Sequence, residues 1–255
     1  MIKKKKSLGQ HFLTDQTVLQ IIIATARLTT NDTVLEIGPG LGNLTKALLA
    51  TGACVIAVEK DDRLINRLTE KFAAAIKNKQ LELIHADILD LDLTYKLQAT
   101  TYKLIANIPY YLTGQIIRQF LTATNQPQSM TLMLQKEVAE RIVAADGKES
   151  LLSISVKAYG APHYIQTIPA KYFSPQPKVD SAIVLIDKIN KDNFQIVDEK
   201  KFFSLLKQGF AGKRKMLKNN LADRKINLET CGISPTARAE DLTLNQWLCL
   251  AKNSR

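Results

Sequence analysis

The chain has 255 residues, 45% of them hydrophobic, and a formal net charge of +11 at pH 7. This apolar content excludes disorder as the dominant state, and no apolar run approaches the roughly 20 residues needed to span a bilayer. Three widely spaced cysteines, Cys54, Cys231 and Cys249, show neither a disulfide framework nor a metal-ligand spacing, and the basic N terminus lacks the apolar segment of a signal peptide. We therefore expect a cytoplasmic location.

Hydrophobic periodicity predicts strands that alternate with helices through most of the chain. The predicted strands are 33–37, 54–59, 81–85, 102–106, 130–134 and 183–186, and the predicted helices are 15–28, 43–51, 61–76, 113–121 and 136–144. This alternation favours an α/β fold, with a parallel sheet covered by helices on both faces. We expect this part, residues 1–189 with the basic N-terminal tail, to be one domain.

The composition and the hydrophobic pattern of the sequence change after Asp187. Residues 188–198 are polar and resemble a linker, and apolar residues then recur at helical spacing to the end of the chain. Residues 190–255 are therefore predicted to form a small, all-α C-terminal domain.

A glycine-rich turn follows the first predicted strand. Residues 36–42 read EIGPGLG, which places glycine at Gly38, Gly40 and Gly42. A dinucleotide-binding fingerprint would need glycine at position 43, where the chain has Asn43. The order Glu-x-Gly-x-Gly-x-Gly is instead typical of S-adenosylmethionine-dependent methyltransferases, so we expect these glycines to bind that cofactor.

Two acidic residues end the next two predicted strands. Glu59 is placed to accept hydrogen bonds from both ribose hydroxyls of the cofactor, although it could instead be an ordinary charge at a helix start. Asp87 could accept the adenine amino group, and its neighbour Ile88 is expected to contact the same cofactor. The carboxyl ends of parallel strands meet at one edge of a sheet, which would bring these residues together.

The fourth predicted strand ends in Asn107, Ile108, Pro109 and Tyr110. The exocyclic amine of adenine is a poor nucleophile because its lone pair is delocalised into the ring. The side-chain oxygen of Asn107 and the backbone oxygen of Ile108 can accept its two hydrogens, while the proline stiffens the turn. Tyr110 can stack on a base that has left its helix. A sulfonium methyl is already activated, so this chemistry needs no metal.

A further segment, residues 173–181, is a stiff, proline-rich loop headed by Phe173, which could close the other face of the target base. Together with residues 6–13 (KSLGQHFL), the glycine loop and the Asn107–Tyr110 motif, this segment resembles the rRNA adenine N6-dimethyltransferases. Residues 210–217 and 235–242 resemble the branch that dimethylates two adjacent adenines near the 3′ end of small-subunit rRNA. The resemblance extends from about residue 6 to 250.

The resemblance implies a Rossmann-like methyltransferase core with a small helical C-terminal domain. It implies that residues 10–13 fold over the cofactor, with His11 and Leu13 in contact with it. It also implies that the substrate is the small ribosomal subunit or one of its assembly intermediates. We expect a monomer that binds neither a membrane nor a metal.

Basic residues are concentrated at the two ends of the chain. Residues 1–10 contain four lysines and no acid, and residues 195–255 contain twelve basic and six acidic residues. This distribution favours a polyanionic partner, although it could simply be a solvated surface. The expected phosphate contacts are Lys3, Lys4, Lys5, Lys6, Lys213, Arg214, Lys215 and Lys218.

Three other functions remain open from the sequence. A nicotinamide dehydrogenase is disfavoured by Asn43 and by the lack of a plausible hydride-transfer constellation. A non-catalytic RNA-binding assembly factor would keep the fold without the chemistry. The erythromycin-resistance type of methylase, which acts on large-subunit rRNA, shares the first four motifs and differs most at residues 210–217 and 235–242.

Overall fold

The computed structural model describes residues 11–91, 97, 101–224 and 226–254. It divides into two compact units: one comprises the chain to Ala139 and His163–Ile189, and the other Glu140–Pro162 and Asn190–Arg255. One division between these units falls between Ile189 and Asn190, and the segment 140–162 lies in the second unit. The assignment of residues 1–189 and 190–255 to two domains stays a prediction.

The first unit contains a seven-stranded mixed sheet. Its strands are β2 (Thr33–Ile37), β3 (Cys54–Glu59), β4 (Leu81–His85), β5 (Tyr102–Asn107), β6 (Ser129–Gln135), β7 (Ala161–Ile168) and β9 (Ser181–Asp187), in the spatial order β4-β3-β2-β5-β6-β9-β7. A separate two-stranded sheet pairs β1 (Phe12–Leu13) with β8 (Phe173–Ser174).

Five strands of the main sheet, from β4 to β6, run parallel, and β9 pairs antiparallel with β6. The register aligns Ile37 of β2 with Val58 of β3 and with Ala106 of β5. The residues that follow these strands therefore meet at one edge of the sheet, as is usual for open parallel sheets.

The helices that connect these strands are α1 (Gln16–Ala26), α2 (Asn43–Leu49), α3 (Asp62–Lys71), α4 (Ala73–Lys77), α5 (Thr113–Thr122) and α6 (Lys136–Val143). Local side-chain caps fix where some of them begin. Asp15 caps α1 by accepting a hydrogen bond from the Val18 amide at 3.0 Å, and Asp61 precedes α3 in the same role. The single helix predicted over 61–76 is interrupted at Phe72, which separates α3 from α4.

The second unit is built mainly of helices: α7 (Leu151–Lys157), α8 (Glu199–Gly209), α9 (Leu217–Asn220) and α10 (Leu244–Asn253). Phe194, which lies in the predicted linker, packs its ring 5.0 Å from that of Tyr159 and 5.6 Å from that of Phe202. The segment predicted as a linker therefore contributes to an aromatic cluster of this unit.

Two of the three cysteines are paired in the second unit. Cys231, at the end of a short turn, forms a disulfide with Cys249 of α10, and Cys54 in the first unit is free. The prediction that the cysteines form no disulfide is therefore wrong. The fold brings together two residues that lie 18 positions apart in sequence.

Candidate active site

A cavity opens at the carboxyl ends of β2, β3, β4 and β5. All of its lining residues belong to the first unit, and they come from the segments that follow these strands and from β1. Of the residues predicted to bind the cofactor or the base, the lining includes His11, Leu13, Gly38, Gly40, Glu59, Asp87, Ile88, Asn107, Ile108, Pro109 and Tyr110. The predicted residues thus converge on one cavity, with the exceptions described below.

The glycine turn after β2 forms part of the cavity wall. Gly40 has a φ of +59°, and a Cβ on this residue would lie 2.9 Å from the ring of Phe12. Gly42 has a φ of +74° and precedes α2, but it does not line the cavity, and a Cβ there would meet the Phe72 ring at 2.5 Å. Gly40 therefore shapes the cavity, whereas Gly42 allows helix and core to pack closely.

Glu59 ends β3 and is nearly buried. One carboxylate oxygen accepts a hydrogen bond from the Gly40 amide at 2.9 Å, and the other accepts one from the Asp61 amide at 2.8 Å. Burial raises the pKa of Glu59, and these backbone hydrogen bonds oppose the increase. The carboxylate thus links the glycine turn to the start of α3, and each oxygen retains a lone pair for a ligand.

Glu36, in the middle of the sheet, is a lining residue that the sequence marks only as part of the glycine motif. It is 1% exposed, and neither carboxylate oxygen has a hydrogen-bond partner of ordinary geometry among the described residues. Burial raises its pKa to about 8, and the neighbouring Glu59 adds to this increase. An acidic residue within an otherwise apolar strand is the sequence signal that could have identified it.

Asp87 follows β4 and forms an ion pair with Lys60, which also lines the cavity. The hydrogen bond from Lys60 is the main cause of a lowered pKa for Asp87. Its other carboxylate oxygen accepts a hydrogen bond from the Leu89 amide at 3.1 Å. Lys60 was not predicted from the sequence to belong to the site.

The strand β1 lies beside the cavity and is held there by two asparagines. Asn43 donates from its side-chain amide to the Leu13 carbonyl oxygen at 2.8 Å, and Asn107 donates to the His11 carbonyl oxygen at 3.0 Å. The placement of His11 and Leu13 at the cavity therefore depends on side chains from α2 and β5. Asn43 is a further residue whose role the sequence did not reveal.

The Asn107–Tyr110 segment leaves β5 and runs into a short turn, Tyr110–Leu112. The Tyr110 ring stacks against the His11 ring with centroids 5.8 Å apart, and its hydroxyl shares a 2.9 Å hydrogen bond with Ser181. Burial raises the pKa of Tyr110. The next residue, Tyr111, lines the cavity and is 56% exposed, which puts a second aromatic ring at its mouth.

Phe173 is not among the residues that line the cavity. It belongs to β8, where it pairs with Leu13 of β1, and its ring is 4% exposed within the apolar core. The expected contact of Phe173 with the target base is therefore not what the structure shows, because the pairing of β8 with β1 turns this side chain into the core.

The predicted RNA-contacting residues fall into two groups. Lys3, Lys4, Lys5 and Lys6 lie outside the described residues. Lys213, Arg214, Lys215 and Lys218 are exposed in the second unit, between α8 and the first turn of α9. Asn220 fixes this basic segment by donating to the carbonyl oxygens of Gly209 at 2.6 Å and Gly212 at 3.1 Å.

Neither a metal cluster nor a membrane-spanning helix occurs in the part of the chain that the structure describes. No group of three or more His, Cys, Asp or Glu side chains in this part is arranged to hold a metal ion. Within the same described ranges, no helix is both long and apolar enough to cross a membrane.

Two solved methyltransferase structures resemble this chain over nearly its whole length. The 23S rRNA methyltransferase ErmE superposes with a TM-score of 0.77 at 25% identity, covering 95% of this chain and 98% of its own. A dimethyladenosine transferase from Plasmodium falciparum gives a TM-score of 0.76 at 26% identity, covering 94% of this chain and 96% of its own. These structures confirm the Rossmann-like α/β fold class that the sequence predicted.

Sequence relatives cover nearly the whole chain. The ribosomal RNA small subunit methyltransferase A of Dehalococcoides mccartyi (strain CBDB1) is 46% identical over 260 residues, which span 98% of this chain and 88% of that protein. The protein of the same name from Nostoc sp. is 38% identical over 269 residues, which span 98% of this chain and 98% of that protein. The family model for ribosomal RNA adenine dimethylase matches residues 1–254. The chain therefore belongs to the ribosomal RNA adenine dimethylase family.

Proposed function

We propose that this protein transfers methyl groups from S-adenosylmethionine to the N6 amines of two adjacent adenines near the 3′ end of small-subunit rRNA. The orientation of the Asn107 amide carries this proposal. Its nitrogen donates to the His11 carbonyl oxygen, so its oxygen remains an acceptor beside the cavity. An acceptor in that position can take a hydrogen of the target amine.

The cavity residues fit S-adenosylmethionine. Gly40 brings bare backbone to the cavity wall, where a Cβ would meet the Phe12 ring at 2.9 Å, and Glu59 retains acceptor capacity for ribose hydroxyls. Asp87 and Ile88 are available for the adenine ring at the end of β4. When bound, the cofactor supplies a methyl group on a sulfonium sulfur that needs no further activation.

Asn107, Ile108 and Tyr110 would receive the target base. The side-chain oxygen of Asn107 and the backbone oxygen of Ile108 accept the two amine hydrogens, which favours a pyramidal nitrogen with its lone pair directed at the methyl group. The Tyr110 ring, held by its hydrogen bond to Ser181, offers a face for stacking on the base. Loss of the amine proton to solvent completes each transfer.

The assignment to the small subunit is supported by the relatives that match this chain over nearly its full length, which are named for that subunit. The erythromycin-resistance type shares the fold at a lower sequence identity. The proposed partner is then the small subunit or one of its assembly intermediates. We propose that the protein binds it in the cytoplasm and as a monomer. The exposed basic segment of the second unit would contact its phosphates, together with the N-terminal lysines.

The experiment that tests this function supplies S-adenosylmethionine with a labelled methyl group to isolated small and large subunits that lack the modification. We expect label in small-subunit rRNA alone. Label in the large subunit instead would move the protein to the erythromycin-resistance type. If neither subunit is labelled, the same assay is repeated with a small-subunit assembly intermediate. If the protein binds the cofactor and still labels none of these substrates, the result would favour a non-catalytic assembly factor.

A further inference from the structure

Tyr111 is an aromatic residue at the mouth of the cavity that the proposed reaction does not use. It lines the cavity, yet it is 56% exposed. The preceding Tyr110 is held by Ser181 and stacks on His11, whereas the Tyr111 side chain has no hydrogen bond and no ring contact among the described residues. A single exposed ring on a protein surface is ordinary. A free ring at the edge of a catalytic cavity is available to the substrate.

The backbone that carries the Tyr111 ring is fixed on both sides. The Leu112 amide donates to the Pro109 carbonyl oxygen at 2.9 Å, which closes the turn around Tyr111. The hydroxyl of Thr113, a buried residue at the start of α5, donates to the Tyr110 carbonyl oxygen at 3.1 Å. A tyrosine side chain has only two rotatable χ angles, so a ring on such a backbone loses little conformational entropy when a ligand covers it.

The charged groups near Tyr111 do not favour a phosphate. Lys60 interacts electrostatically with Tyr111, but its ammonium group is already paired with Asp87. Asp90, which is exposed, also interacts with Lys60. One lysine and two aspartates leave this part of the mouth with a net negative charge, which repels the RNA backbone. A base is therefore the part of an RNA that suits the uncharged ring, and any base can stack on it through its π-face.

The proposed substrate supplies such a base. Its two target adenines are adjacent, so when one of them enters the cavity the other stays outside, one phosphodiester away. A base that enters the cavity leaves the stack, and its neighbour then loses a stacking partner. Proteins that bind unpaired RNA commonly replace that partner with an aromatic side chain. Tyr111 directly follows Tyr110, the residue proposed to stack on the target base, and its ring lies at the mouth.

We propose that Tyr111 forms a second base-binding site, on which the adenine next to the target base stacks while the target occupies the cavity. The inference rests on the proposed function, because that function takes two adjacent adenines as the substrate. Stacking on Tyr111 holds the RNA at the mouth and positions the nucleotide that enters the cavity. The ring acts on the RNA and not on the cofactor, so its loss impairs methyl transfer without weakening cofactor binding.

The test measures methyl transfer by the full chain to unmodified small subunits at subsaturating subunit concentration, with saturating S-adenosylmethionine. Tyr111→Ala should lower the rate about 5- to 150-fold, the range for loss of one base–aromatic stack. Tyr111→Phe keeps the ring and should keep the rate, because the hydroxyl has no part in stacking. Ile165→Ala is the matched control: it removes an exposed apolar side chain from β7 that does not line the cavity, and it should keep the rate.

Removal of the neighbouring base identifies what the ring contacts. Small subunits are reconstituted with rRNA in which each of the two adenines in turn is replaced by an abasic nucleotide. For at least one of these positions, the unaltered protein should methylate the remaining adenine more slowly, and Tyr111→Ala should cause no further decrease. If Tyr111→Ala causes its full decrease beside the abasic nucleotide at both positions, the ring does not act on the neighbouring base and the proposal is wrong.

Two further results separate this proposal from its alternatives. Calorimetric titration with S-adenosylmethionine should give the same affinity for Tyr111→Ala as for the unaltered protein, which also shows that the variant is folded. A loss of cofactor affinity as large as the loss of rate would instead place the ring against the cofactor and overturn the proposal.

The abasic substrates test the proposal without any variant. If the unaltered protein methylates adenine equally fast beside an abasic nucleotide and beside adenine, at both positions, no second base site exists. Absence of methyl transfer by the unaltered protein to any small-subunit substrate would refute the proposed function itself. Transfer that Tyr111→Ala leaves unchanged would refute only the role of Tyr111.

Discussion

The side-chain amide of Asn107 donates a hydrogen bond of 3.0 Å to the backbone carbonyl oxygen of His11, which lies 96 positions earlier in the chain. This bond ties β1 to the segment that we propose receives the base. It also fixes which end of the amide is left to accept a hydrogen bond. One interaction thus positions the start of β1 beside the cavity and orients the acceptor oxygen of Asn107.

The first prediction concerns this acceptor. Asn107→Asp replaces the donor nitrogen by an oxygen, which would face the His11 carbonyl oxygen, so the carboxylate should rotate or repel β1. Loss of a positioned hydrogen-bonding group in an active site typically costs about 10² to 10³ in rate. We expect methyl transfer to fall by that factor in single-turnover assays with small subunits.

Asn66→Asp is the matched control, because Asn66 is exposed on α3 and takes no part in the cavity. It should keep the rate of the unaltered protein. Full activity of Asn107→Asp would contradict the role assigned to the Asn107 amide.

A second prediction concerns Gly40. Alanine there must adopt a φ of +59° and place its Cβ 2.9 Å from the Phe12 ring. We expect the free energy of unfolding to fall by about 1–3 kcal/mol and cofactor affinity to fall at least tenfold, measured by urea denaturation and calorimetry. Gly114→Ala on α5 meets no atom within 4 Å and should be neutral or slightly stabilising. Equal behaviour of the two variants would contradict the account of the glycine turn.

A third prediction uses the titration of Glu36 in the protein without ligand. Burial raises its pKa to about 8, so the folded protein retains a proton that the unfolded chain loses near pH 4.5. This contribution to stability is complete below pH 4.5 and is lost as pH rises through 8. Glutamine does not titrate, so the melting temperature of Glu36→Gln should fall less between pH 5.5 and 8.5.

Relative to the unaltered protein, Glu36→Gln should gain free energy of unfolding on the order of a few kcal/mol as the pH rises to 8.5. Some pH dependence should persist, because burial also raises the pKa of Glu59. Glu70→Gln, a control at an exposed position of α3, should follow the unaltered protein throughout. Parallel curves for Glu36→Gln and the unaltered protein would show that the buried carboxyl does not bind a proton at neutral pH.

The fourth prediction concerns the basic segment of the second unit. Replacing Lys213 and Lys215 by glutamine removes two exposed charges beside the loop that Asn220 holds. We expect weaker binding to small subunits and a salt dependence whose logarithmic slope falls by about one for each phosphate that the protein no longer neutralises. Lys200→Gln with Lys207→Gln removes the same charge from α8, and an equal effect there would show that only net charge matters.

Several strand boundaries could be predicted from the sequence because buried β-branched runs are bounded by turn residues. The predicted bounds of β2, β3 and β4 coincide with the structure. Strand β7 was not predicted because its burial pattern is irregular at the edge of the sheet, which leaves no clean alternation of apolar residues. The seven-residue helix α7 is too short for its periodicity to be distinctive.

Site residues could be predicted from the sequence only where they come directly after the end of a predicted strand. That rule located Gly40, Glu59, Asp87 and Asn107, since parallel strands bring such residues to one edge. It could not show that Asp87 is paired with Lys60, because this ion pair depends on tertiary structure. The burial of the Phe173 ring and the isolation of the Glu36 carboxyl likewise depend on which neighbours the fold supplies.

The central claim is that this cavity directs methyl transfer to the N6 amine of adenine. It is tested most directly by digesting small-subunit rRNA after reaction with the unaltered protein and identifying the modified nucleoside by mass spectrometry. The account predicts N6,N6-dimethyladenosine. A methyl group on a ribose oxygen, on a ring nitrogen or on another base would contradict it.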